Sequence, residues 1–78
     1  MCLIEIKLTK KASEEPDINA LMFKYIQFFR RAKIASEEMK GDKFVARVYV
    51  RYTENKVSEW INNVLTFDSK IEKVCIVS

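Results

Sequence analysis

Seventy-eight residues, 49% of them apolar and with a single Gly and a single Pro, make one folded domain, residues 1–78, and leave no room for a second. The net charge of +3 is spread, with 8 Lys/Arg against 6 Asp/Glu over residues 1–40 and 6 against 5 over residues 41–78, so no dense basic patch of the usual nucleic-acid-binding type is present. The absence of histidine removes the commonest general base and metal ligand.

Cys2, Ile4, Ile6 and Leu8 alternate with Leu3, Glu5, Lys7 and Thr9, which predicts a first strand over about residues 2–9 with one buried face. The polar segment Lys10–Pro16 reads as a loop. Asp17 is a candidate N-cap for a long helix ending near Arg31, where Arg30 and Arg31 suit the negative end of the helix dipole. On that helix Ile18, Leu21, Met22, Tyr25, Phe28, Phe29 and Ala32 form the sheet-facing stripe. Phe23 and Ile26 widen the stripe beyond one sheet face, so they reach a loop or a second subunit.

Ile34–Met39 is expected to form a second strand, joined as a hairpin to the third across Lys40-Gly41-Asp42-Lys43, where the only glycine supplies a positive φ. The third strand shows the clearest alternation: Phe44, Ala46, Val48 and Val50 on the core face, Val45, Arg47, Tyr49 and Arg51 on the other. Thr53 is an N-cap candidate, followed by a helix whose stripe is Val57, Trp60, Ile61, Val64 and Leu65. Trp60 therefore reads as core rather than as a binding residue. Asp68-Ser69 breaks the helix, and Ile71, Val74 and Ile76 describe a last strand. The order β-α-β-β-α-β predicts an α+β, ferredoxin-like fold: a four-stranded antiparallel sheet, first and third strands central, with two helices on one face.

Candidate chemistry is sparse. Cys2 and Cys75 sit at opposite ends of the chain without metal-ligand spacing, and they read as reduced strand cysteines. Glu14/Glu15 and Glu37/Glu38 read as surface charge, and one glycine cannot build a phosphate loop. The expectation is a non-enzyme without metal or cofactor. No apolar run reaches the ~20 residues of a membrane span, and Glu5 and Lys7 interrupt the first apolar stretch as no signal peptide would. A cytoplasmic location without membrane insertion follows as the default.

The pattern Gly41-x-x-Phe44, Val48-x-Val50, the helix with Trp60, Ile61 and Leu65, and Ile71-x-x-Val74-x-Ile76 resembles the RAM domain. That domain is the effector-binding, oligomerising half of Lrp/AsnC-type regulators and also occurs alone. The same outline is similar to ACT domains, including the C-terminal domain of MgtC-type membrane proteins. Glu15-Pro16-Asp17 keeps the proline of the ACT ligand loop without its glycine, and Ser69-Lys70 stands where a glycine is usual.

The resemblance implies a regulatory or assembly domain acting as a homodimer or higher homo-oligomer. Its contact is expected near Leu3, Val45, Arg47, Tyr49 and Val77, and a small-molecule effector near Glu15, Pro16, Asp17, Gly41 and Asp42. The alternative is a single-stranded nucleic-acid binder using Lys7, Arg47, Tyr49 and Arg51 on the open sheet face. For it, Lys40–Val45 partly resembles the third-strand motif of the RNA-recognition fold, although Asp42 takes the first stacking position and Phe44 shares the buried phase. A further alternative is a cytoplasmic domain of an MgtC-type membrane protein.

Overall fold

β1 (Cys2–Leu8) alternates buried and half-buried positions along its length, as period 2 requires. A computed structural model describes residues 2–27, 29 and 31–77, the side chains of 64–67 excepted. Phe28 and Arg30, and the side chains of Val64 and Leu65, therefore lie outside the described residues. After β1 come α1 (Lys10–Ser13), α2 (Ile18–Ile26), β2 (Lys33–Lys40), β3 (Lys43–Val50), α3 (Glu54–Phe67) and β4 (Ile71–Ile76). The four strands form one antiparallel sheet in the order β2-β3-β1-β4, so the first and third strands are central.

One face of the sheet carries the core. Cys2, Ile4, Ile6 and Leu8 of β1, Phe44, Ala46, Val48 and Val50 of β3, and Ile71 and Val74 of β4 pack with residues from all three helices. The hairpin turn is Gly41-Asp42, with Lys40 opposite Lys43. Gly41 has φ +66°, a conformation that a side chain would strain. Asp17 Oδ1 accepts from the Ala20 amide at 3.2 Å, and Thr53 Oγ1 accepts from the Lys56 amide at 3.3 Å, so both expected N-caps form. Trp60 is half-buried against the core, its ring 4.7 Å from Phe29.

Two expectations are corrected. Lys10–Pro16 is not all loop: Lys10–Ser13 is a helical turn, because Thr9 Oγ1 caps the Ala12 amide at 3.2 Å and Ala12 and Ser13 are buried. Ser13 is the buried polar residue of this layer. Its hydroxyl donates to the Thr9 carbonyl at 2.7 Å and accepts from the Phe44 amide at 2.8 Å, which fastens α1 to β3. The second correction is that α2 stops at Ile26 with Gln27 as its cap, short of Arg31. Phe29 instead turns into the core between Tyr52 and Trp60, and that packing outweighs continued helix.

The cysteines lie on different faces. Cys2 is buried, and its thiol donates to the Tyr52 carbonyl at 3.3 Å. Cys75 stands opposite Glu5, which has the open-face phase, and both thiols are free.

The Tyr25 phenol is buried on the core side of α2. Its oxygen is buried and makes no well-formed hydrogen bond among the described residues. The Asp68 carboxylate is the acceptor beside it and acts on the phenol as a hydrogen-bond acceptor, while its Oδ1 also accepts from the Lys70 amide at 2.9 Å. Burial first, and Asp68 second, push the Tyr25 pKa well above its ordinary value of 10.0. A folded-state pKa above the unfolded one means stability that is intact below about pH 10 and lost as pH rises beyond it. Tyr25→Phe should accordingly be neutral, or stabilising by about 1 kcal/mol, at pH 7. It should also hold more of its stability above pH 10 than the parent chain, as read by urea denaturation at both pH values. A loss above ~2 kcal/mol at neutral pH would show that the hydroxyl makes a bond after all.

Candidate binding surface

The sheet face opposite the helices divides into an ion-paired field and a cationic corner. Period 2 and the register place Glu5 and Lys7 of β1, Val45 and Arg47 of β3, and Glu38 and Lys40 of β2 on the ion-paired part. There Lys40 lies 3.8 Å from both Glu5 and Glu38, and Arg47 lies 4.0 Å from Glu5. Glu72 accepts from Lys43 and lies 3.4 Å from Lys7. The Lys43 hydrogen bond is the main cause that holds the Glu72 carboxyl below its ordinary pKa, and Glu72 in return raises that of Lys43. These are solvated pairs whose weight is in cancelling the local field rather than in stability.

The expected contact residues separate accordingly. Val45 is only 2% exposed, with Lys7 and Glu38 as its cross-strand neighbours, so it has almost no surface to give a partner. Arg47 is engaged with Glu5. Leu3, Tyr49 and Val77 do gather: Leu3 is opposite Tyr49, and the Val77 amide donates to the Leu3 carbonyl at 2.7 Å. Tyr49 and Val77 are each 42% exposed.

The nucleic-acid set divides in the same way. Lys7 and Arg47 face carboxylates, whereas Tyr49 and Arg51 line an open groove of about 500 Å³ together with Arg31, Ala32 and Lys33. Phe44 is buried and presents no ring to the open face. Arg31 and Lys33 escape a reading by periodicity. Only the β2–β3 register, which sets Lys33 opposite Tyr49, brings them to this corner.

The charged members of the expected effector set are engaged with partners of their own, although α1 and the hairpin tip lie side by side. Glu15 pairs with Lys70 at 3.0 Å, in a hollow of about 170 Å³ with Thr9, Lys11, Ala12 and Ser69. Pro16 and Asp17 are exposed, and Asp17 is occupied as the α2 cap. Gly41 and Asp42 form the exposed hairpin tip, tied to α1 by the Lys10–Asp42 pair at 3.8 Å.

On the helix side the edge strand β2 is uncovered. All eight of its residues are exposed, and Ile34 and Met39 stand opposite Val48 and Phe44, hence on the core-side phase. Met39 is 52% exposed, and Phe23 on α2 is 66% exposed. Among the described residues no group of three His, Cys, Asp or Glu is placed to hold a metal ion, and no helix is long and apolar enough to cross a membrane. No family model and no curated protein matches the chain.

Proposed function

We propose that this chain is a non-catalytic regulatory or assembly domain of the ferredoxin-like, ACT/RAM type that works in the cytoplasm as a homodimer, joined through β2. One observation carries the reading: an eight-residue edge strand, exposed from end to end, with apolar Ile34 and Met39 on the side where helices cover the rest of the sheet. Such an edge offers unpaired backbone groups and uncovered apolar area together. Antiparallel pairing of two copies about a two-fold perpendicular to the sheet would bring Ile34 and Met39 of both edges onto the same helix-side face of the joined sheet, which favours a second copy as the occupant. Read from the other edge, the strand order is β4-β1-β3-β2, and with all helices on one face it accords with the ferredoxin-like outline; α1 is an addition to it. The contact thus moves from the open face, where Val45 is buried and Arg47 paired, to the β2 side. A small effector at the subunit boundary remains part of the reading.

Light scattering across a concentration series tests it. The expected mass is twice the 9.2 kDa of the chain. Met39→Glu, with a charge forced into the apolar contact, should weaken dimerisation at least ~100-fold, about 2.7 kcal/mol. A monomer at every concentration would overturn the reading, and a dimer indifferent to Met39→Glu would overturn the placement.

A further inference from the structure

We propose that the corner groove lined by Arg31, Ala32, Lys33, Tyr49 and Arg51 binds a nucleotide unit, a phosphate carried beside a planar base. This goes beyond the assembly reading and does not depend on it. The first ground is uncompensated charge. Lys7, Lys10, Lys40, Lys43, Arg47 and Lys70 each have a carboxylate within 4.0 Å, whereas Lys11, Lys24, Lys56 and Lys73, like Arg31, Lys33 and Arg51, enter no ion pair among the described residues, and the last three line one groove together. Three cations around one concavity without a carboxylate in its lining focus a positive field there. Two of them are arginines, whose planar fork matches phosphate oxygens in pairs.

The second ground is the aromatic ring. Tyr49 is 42% exposed and lines the same groove, so a ligand with a planar base meets a stacking surface next to its anion site. A bare anion would use the cations alone. The volume of about 500 Å³ lies within the ~300–1,000 Å³ of small-ligand clefts. Because the groove is open, it admits either a free nucleotide or one unit of a single strand.

The test is a low-salt titration of the ¹⁵N-labelled full chain with uridine monophosphate, a short oligouridylate, inorganic phosphate and an oligoglutamate. Both uridine ligands should shift the amides of Lys33, Tyr49 and Arg51, and added salt should weaken binding. Arg51→Gln should weaken either uridine ligand roughly 10-fold or more. Tyr49→Leu should weaken them roughly 5- to 100-fold while leaving phosphate binding in place. An oligonucleotide that binds much more tightly than the monophosphate assigns the site to a strand, and equal affinities assign it to a free nucleotide. Absence of shifts at the groove in the parent chain, which needs no variant, would overturn the proposal. So would equal binding of oligoglutamate, or indifference to Tyr49→Leu. Arg51→Gln should leave the solution mass unchanged, and groove shifts in a chain that scatters as a monomer would uphold this proposal while overturning the assembly reading, so the two fail separately.

Discussion

Truncation of Ile6 to alanine should remove about 3–4 kcal/mol of stability, within the range for large-to-small changes in a packed core. Ile6 is fully buried at the middle of β1, with Ala46 opposite on one side and Val74 on the other. Its neighbours belong to strands held by ladders on both sides of β1, so the backbone cannot close over the missing atoms and most of the cavity persists. A 78-residue chain has roughly 4–12 kcal/mol in total at ~0.05–0.15 kcal/mol per residue. The loss is thus a large fraction of the whole, and the thermal midpoint should fall by more than ~12 °C. Denaturant titration with an unchanged slope is the check. A loss below ~1 kcal/mol would mean that this site relaxes freely and that the core is not centred on β1.

The second large effect is expected from Ser13→Ala. The hydroxyl satisfies the Phe44 amide and the Thr9 carbonyl together, inside the α1–β3 contact. Without it a buried N–H is left unpaired, at a cost of about 1–3 kcal/mol, and α1 loses the tie that fixes it to the sheet. The Phe44 amide should then exchange with solvent faster than its neighbours in β3. Stability within ~0.5 kcal/mol of the parent, together with a protected Phe44 amide, would refute the role given to Ser13. Thr9→Ala should cost less, about 1 kcal/mol, since it removes only the cap on Ala12.

α1 also marks where local reading stops. Lys10–Ser13 carries no apolar stripe, so nothing in its pattern announces a helix. It forms because Ser13 finds an unpaired amide on β3, 31 residues away along the chain. The early end of α2 has the same origin: Arg30 and Arg31 suit a helix C-terminus, but Phe29 gains more against Tyr52 and Trp60 than another helical turn would give. By contrast, the four strands, the two capped helices and the Gly41 turn were all legible. Each depends on residues within a few positions of one another, and period 2, period 3.6, side-chain caps and a positive φ are local signals.

The sites followed the opposite rule. The alternation in β3 put Val45 and Tyr49 on the same open face, and it could not say that one would be buried and the other left exposed. That difference is a matter of register: Val45 stands between Lys7 and Glu38, and Tyr49 between Leu3 and Lys33. Register likewise decided which charges cancel. It set Glu5 within reach of Lys40 and Arg47, and Glu72 within reach of Lys7 and Lys43, while Arg31, Lys33 and Arg51 share one groove and enter no ion pair among the described residues. Element types and the buried phase of each strand were readable because they follow from spacing along one segment, and the central place of β1 and β3 because it follows from the β-α-β-β-α-β order. Which open-face residues are covered, which cations gather in one groove and that β2 is left bare were fixed by the folded arrangement. Those depend on which segments lie side by side and in what register, including the irregularity between Ile34 and Ser36, and no local period encodes that.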